Sequence, residues 1–127
     1  MTFAAAFGAP VAAGPQQSEP AGSIQITTIT KEDDGRHGRY VARIDGIDAE
    51  GEITFTHRGP GIISADHTGV PEAMAGKGVA KALLDYLLED ARNSGFRIIP
   101  ICPFVRAQYA RHPDWADLFT TKPGEDP

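Results

Sequence analysis

The spacing of apolar positions changes once along the chain. Up to Val70 they recur mainly at every second residue, and from Gly76 to Ser94 at every third or fourth. The first regime predicts strands and the second an amphipathic helix. Ile24, Ile26, Thr27, Thr28, Ile29 and Thr30 form a β-branched run suited to a pleated strand, which the charged cluster Lys31-Glu32-Asp33-Asp34-Gly35 should end. Gly38 to Ile44 alternates polar and apolar, and Asp45-Gly46 supplies the chemistry of a tight hairpin turn. A third strand is expected from about Ala49 to His57, with Ile53 and Phe55 on one side and Glu52, Thr54 and Thr56 on the other. Arg58-Gly59-Pro60-Gly61 then turns into a fourth strand, Ile62 to Val70. Consecutive strands joined by short turns make an antiparallel meander.

In the second regime Val79, Leu83, Leu87 and Ala91, flanked by Ala80, Leu84 and Leu88, form a wide apolar stripe. The expected helix covers residues 76 to 94 and stops at Gly95, a left-handed cap. Phe96 to Cys102 reads as a fifth strand. Coming straight after a helix, it should lie parallel to the fourth. Pro100 cannot donate to a ladder, so one side of this strand should be unpaired there. Pro103 to His112 fits a short helix with proline in its first turn, and Trp115, Leu118 and Phe119 should pack back on the body. The expected fold is α+β: an antiparallel β-meander, a long helix, a parallel fifth strand and a short C-terminal helix.

Composition narrows this only slightly. At 127 residues there is material for one domain, expected over residues 24–119. Residues 1–23 read as a flexible tail, because no Lys or Arg precedes Lys31 and Gly8, Pro10, Gly14 and Pro15 break the alanine-rich run that a secretory signal needs. Residues 120–127 read as a second flexible tail. The net charge of -5 leaves no basic surplus to displace phosphate counterions, so nucleic acid is not an expected partner. No apolar run is long enough to cross a bilayer, so a membrane partner is not expected either. One cysteine, Cys102, and no Cys/His cluster of zinc-ligand spacing point to no metal and to a reducing, cytoplasmic setting.

Candidate chemistry gathers at the change of period. Gly76 and Gly78 flank Lys77 just before the helix, where backbone without Cβ, unpaired N–H groups and the positive end of a helix dipole suit a phosphate or pyrophosphate. A tight turn with no ligand accounts for the same glycines.

Three stretches together are more specific: His67-Thr68-Gly69-Val70-Pro71, Gly76-Lys77-Gly78-Val79-Ala80, and Cys102-Pro103-Phe104-Val105 with Arg111-His112-Pro113-Asp114-Trp115-Ala116-Asp117-Leu118. In this order, over residues 24 to 119, the chain resembles the small single-domain branch of the GNAT acyltransferase superfamily. The resemblance implies acetyl-CoA as co-substrate, lying where strands four and five separate. Its pyrophosphate would sit on Ala75, Gly76, Lys77, Gly78, Val79 and Ala80. Its pantetheine would run beside His67, Thr68, Gly69 and Val70, with Lys81, Phe104 and Arg106 as further contacts. The superfamily prefers Gln or Arg three residues before the first glycine and Arg directly before it, where this chain has Ala73 and Ala75. Lys77, Lys81, Arg106 or Arg111 would then supply the charge.

Acetyl transfer to an amine needs a base for the ammonium and an acid for the leaving thiolate. His67 is the expected base, an imidazole being the side chain most used for such transfer, although a structural strand histidine has the same signature. Cys102 could relay the acetyl group, but a lone thiol is more often a core residue, and that reading is favoured. Tyr109 could protonate the CoA sulfur or simply pack on its helix. The implied function is an acetyl-CoA-dependent N-acetyltransferase acting on a small amine or a lysine side chain. The rival is a non-enzymatic acyl-CoA-binding or protein-interaction module on the same fold.

Overall fold

The computed structural model describes residues 27–127. The 1–23 tail and the expected start of the first strand at Ile24 lie outside the described residues. Five strands form one sheet in chain order: β1 (Thr27–Asp33), β2 (His37–Ile44), β3 (Gly51–Gly59), β4 (Ile62–Gly69) and β5 (Arg97–Pro100). β1 to β4 are antiparallel neighbours, whereas β4 and β5 are parallel. Helix α1 (Val79–Ser94) links them, and α2 (Pro103–Arg111) with a 3-10 segment (Pro113–Leu118) completes the α+β fold.

One face of the sheet carries Tyr40, Ala42, Ile44, Ile53, Phe55, Ile63 and Ala65, and this inner face forms one buried core with α1. The predicted stripe is what α1 buries: Val79, Leu83, Leu84, Leu87, Leu88 and Ala91. Each buried leucine is worth about 1.5–3 kcal/mol, so this contact holds the layers together. Gly95 caps α1 at φ 80°, its N–H donating to Ala91 O at 2.9 Å.

β5 is shorter than expected, ending at Pro100 rather than Cys102, and three further differences have a local cause. The helix starts at Val79 rather than residue 76, because Gly76 and Gly78 have φ of 74° and 73°, outside the right-handed helical region. The 31–33 cluster does not end β1 but continues it, since each charge finds a partner. Lys31 Nζ donates to Asp90 at 2.7 Å, Glu32 accepts from Arg39 Nε at 2.8 Å, and Asp33 accepts from the Gly35 N–H at 2.8 Å. The turn falls one residue later, where Asp34 Oδ1 accepts the N–H groups of Arg36 and His37, both at 2.8 Å, and Gly35 takes φ 93°. Finally, Asp45-Gly46 turns the chain but does not close a tight hairpin. Ile47 and Ala49 pack against the core instead of extending the ladder, so β3 begins at Gly51.

β5 is the last strand on its side of the sheet, as Pro100 requires. Its far edge meets the C-terminal segment at Ile98, where Thr120 N–H donates to Ile98 O at 3.0 Å, and Arg97 Nη2 donates to Phe119 O at 2.6 Å. Tyr109 and Phe119 stack with centroids 4.0 Å apart. Among the described residues no helix is long and apolar enough to cross a membrane.

Two expectations follow. A Cβ on Gly38 would stand 2.3 Å from Phe55 Cζ and 2.5 Å from Glu32 O, so Gly38→Ala should lose about 1–3 kcal/mol to overpacking, read from its urea midpoint. Asp90 provides the second. Burial raises its carboxyl pKa, but hydrogen bonds from Lys31 and Tyr40 and the Lys31 charge lower it, leaving it below the ordinary 3.8. A lowered folded-state pKa gives stability that is present above the unfolded value and lost as pH falls through the folded one. The acid limb of the stability curve should therefore flatten in Asp90→Asn, measured by denaturation between pH 2 and 5, roughly the window in which carboxylates protonate.

Candidate functional site

β4 and β5 stay in register only to the pair Ala65 and Pro100. Beyond it Cys102 N–H donates to Ala65 O at 2.8 Å and the chain leaves the sheet to start α2. β4 continues to Gly69, so from Asp66 onward its edge on that side has no β5 partner. The two strands separate at this point.

After β4, Pro71 leads a 3-10 turn (Glu72–Met74) in which Met74 and Ala75 donate to Pro71 O and Glu72 O at 2.9 and 3.0 Å. Met74 is fully buried and anchors this turn to the core. The first intrahelical bond of α1 runs from Ala82 N–H to Gly78 O at 3.0 Å. The amides of Val79, Ala80 and Lys81 precede it and have no acceptor within the helix. A Cβ added at Gly76 or Gly78 would meet nothing within 4 Å, so the backbone there is open to an approaching group. These residues fit an anion.

A cleft of about 490 Å³ lies over this turn, lined by Val70, Met74, Ala75, Gly76, Gly78, Val79, Ala80 and Lys81, and by Phe104 and Gln108 of α2. Most of the cofactor contacts expected from the sequence meet here. Thr68 and Gly69 belong to the β4 segment leading in, and Lys77 sits on the turn between two lining glycines. Met74 and Gln108 were not foreseen. Gln108 lies one helical turn after Phe104, and that spacing alone places it on the same face. Lys81 pairs with Asp85 at 2.8 Å, an exposed i,i+4 bridge.

Arg106 stands apart from the cleft. Its Nε and Nη2 donate to Pro100 O and Ile101 O at 3.2 and 2.7 Å, satisfying carbonyls that β5 leaves where it ends. His112 ends α2, with Nδ1 donating to Gln108 O at 2.9 Å and its ring stacked 4.2 Å from Trp115.

The three expected catalytic side chains do not converge. His67 is exposed on the outer face of β4, opposite Thr54, whereas Thr68 pairs with Ile53 on the inner side. Cys102 is buried, with Sγ 3.2 Å from Thr68 Oγ1. Tyr109 is fully buried, and its hydroxyl donates to Thr121 O at 2.7 Å instead of facing the cleft. Burial raises its pKa. Among the described residues no group of three or more His, Cys, Asp and Glu side chains could hold a metal.

A second hollow of about 620 Å³ opens on the outer face beside Glu32, Asp33, Asp34 and Asp66. Its carboxylates are already engaged. Glu32 binds Arg39, Asp33 accepts the Gly35 amide, Asp34 caps its own turn, and Asp66 accepts from Thr56 and Ser64.

Residues 39–118, which run from β2 through the cleft to the last 3-10 segment, match the model of the GCN5-related N-acetyl-transferase family. The chain belongs to that family. It is also similar to Protein NATD1 of Gallus gallus, 31% identical over 104 residues covering 75% of this chain and 94% of that protein. Protein NATD1 of Bos taurus is 30% identical over 84 residues, 63% of this chain and 74% of the relative. Family membership supports the general function of an acetyltransferase domain for this chain.

Gly78→Ala tests the turn. The space is open but φ is 73°, so the substitution should cost roughly 1–2 kcal/mol of backbone strain, measured by chemical denaturation. An unchanged midpoint would show that the left-handed turn is not required.

Proposed function

We propose that this chain transfers an acetyl group from acetyl-CoA to a primary amine, a small amine or a lysine side chain, by direct attack of the amine. The carrying observation is the cleft over Gly76 and Gly78, placed where β4 outruns β5, in a member of an acetyltransferase family. The amides of Val79, Ala80 and Lys81 bind the pyrophosphate, helped by the dipole of α1. The open edge of β4 from Asp66 to Gly69 presents backbone donors and acceptors to the pantetheine arm. Val70, Phe104 and buried Met74 give that arm an apolar wall.

When bound, acetyl-CoA supplies an activated acyl carbon, whose C–S bond is exchanged for a C–N bond to the amine. His67, exposed on the outer face to an arriving acceptor, takes the proton from its ammonium; the free amine then attacks, and CoA leaves as its thiolate. Cys102, buried beside Thr68, serves as a core thiol rather than an acyl relay. Tyr109 can act as the acid only by giving up its bond to Thr121. That commitment favours one second reading, a module that binds acyl-CoA without turning it over.

Calorimetric titration with CoA and acetyl-CoA, followed by turnover assays on a panel of amines and lysine peptides, separates the readings. Binding with turnover is expected. Binding without turnover leaves the second reading, and no heat at high micromolar ligand removes both. His67→Ala should lower kcat/KM by about 10²-fold or more, the usual worth of a general base. Cys102→Ala should keep its turnover, and a loss would revive the relay.

A further inference from the structure

β4 contains one residue more than β3 pairs. Thr56 stands opposite Ser64 and Phe55 opposite Ala65, but Thr54 stands opposite His67, so Asp66 has no partner across the ladder. Side chains alternate faces along a strand, and an inserted residue reverses every facing after it. Without the bulge His67 would point inward and Thr68 outward. The placement of Asp66 therefore decides which of the two meets Cys102.

The Asp66 side chain is held on the outer face. One carboxylate oxygen accepts from Thr56 Oγ1 at 2.5 Å and the other from Ser64 Oγ at 2.6 Å. Ser64 is fully buried and itself accepts from Arg58 Nε at 2.8 Å, while Arg58 Nη2 stands 3.7 Å from the same carboxylate. Thr56 and Ser64 are cross-strand partners, so the carboxylate clamps the ladder one pair before the last one in step, Phe55 with Ala65. Bonds to an ionised acceptor are stronger than neutral ones, which suits a tether.

We propose that Asp66 is a positioning residue: its grip on Thr56 and Ser64 holds the β4 bulge, and the bulge keeps His67 outward while Thr68 stays against Cys102. The functional meaning rests on the acetyl-transfer reading above. The base then serves the acceptor from one face of β4, and the Thr68 hydroxyl stays on the other.

The test compares Asp66→Ala and Asp66→Asn with the unaltered protein by two readouts. The first needs no activity: nuclear Overhauser contacts between Thr68 and Cys102 and between His67 and Thr54. The second is turnover, separated into kcat and a calorimetric dissociation constant for acetyl-CoA. Asp66→Ala should weaken both contacts and lower kcat by about 10²-fold, the order that a misplacement of roughly 1 Å costs, while the dissociation constant stays within about twofold. Asp66→Asn retains an acceptor and should restore most of kcat. If Asp66→Ala does not fold, Thr56→Val removes one tethering hydroxyl and should shift both readouts in the same direction. Contacts and kcat unchanged in the folded variant overturn the proposal. If the unaltered protein turns nothing over, the acetyl-transfer reading falls and the contacts alone decide: their loss supports the positioning role, and their persistence overturns it.

Discussion

β4 is paired with β3 from end to end except at Asp66, and with β5 along only its first half, and the rest of the molecule is arranged around that imbalance. β5 does not follow further, because the Ile101 amide folds back onto Ile99 O and Cys102 turns its own amide back to Ala65. Arg106 satisfies carbonyls at the point of departure. The far half of β4 is left with an open backbone edge, which must find water or a ligand. An extended polar chain laid along this edge would complete the sheet without a sixth strand.

The two walls of the opening arise in different ways. α1 is held by its leucines against the inner face, so its first turn is fixed in space even though the glycines before it are conformationally permissive. α2 is held at its far end, through the stacking of Tyr109 on Phe119 and the bond to Thr121. The glycine turn and the α2 wall of the cleft thus stand on separate supports, and Tyr109 is committed to the second of them.

Much of this was legible in the residues. Period-two alternation found the strands, and the stripe from Val79 to Ala91 found α1 and the face it buries. Gly76, Gly78, Val79, Ala80 and Phe104, named from the family resemblance, line one cleft. Other features depended on tertiary partners. Lys31, Glu32 and Asp33 look like a terminator until Asp90 and Arg39 are placed beside them. Arg106 reads as an anion contact, yet the ending of β5 makes carbonyls its nearest partners. The bulge at Asp66 has no compositional mark, because it is a mismatch between two strands rather than a property of either. This is why His67, Thr68, Cys102 and Tyr109 could be named but not oriented.

Among the described residues β1 is the outermost strand on its side of the sheet. An uncovered strand edge is a template on which another chain can stack, and apolar edges of this kind seed aggregates. Here the outermost strand ends in Lys31, Glu32 and Asp33, whose side chains are already bound to α1, β2 and the following turn. A second copy extending the sheet would have to lay its own strand beside those charges. The same residues that carry β1 past its expected end thus also place charge along the edge on which a further strand would stack.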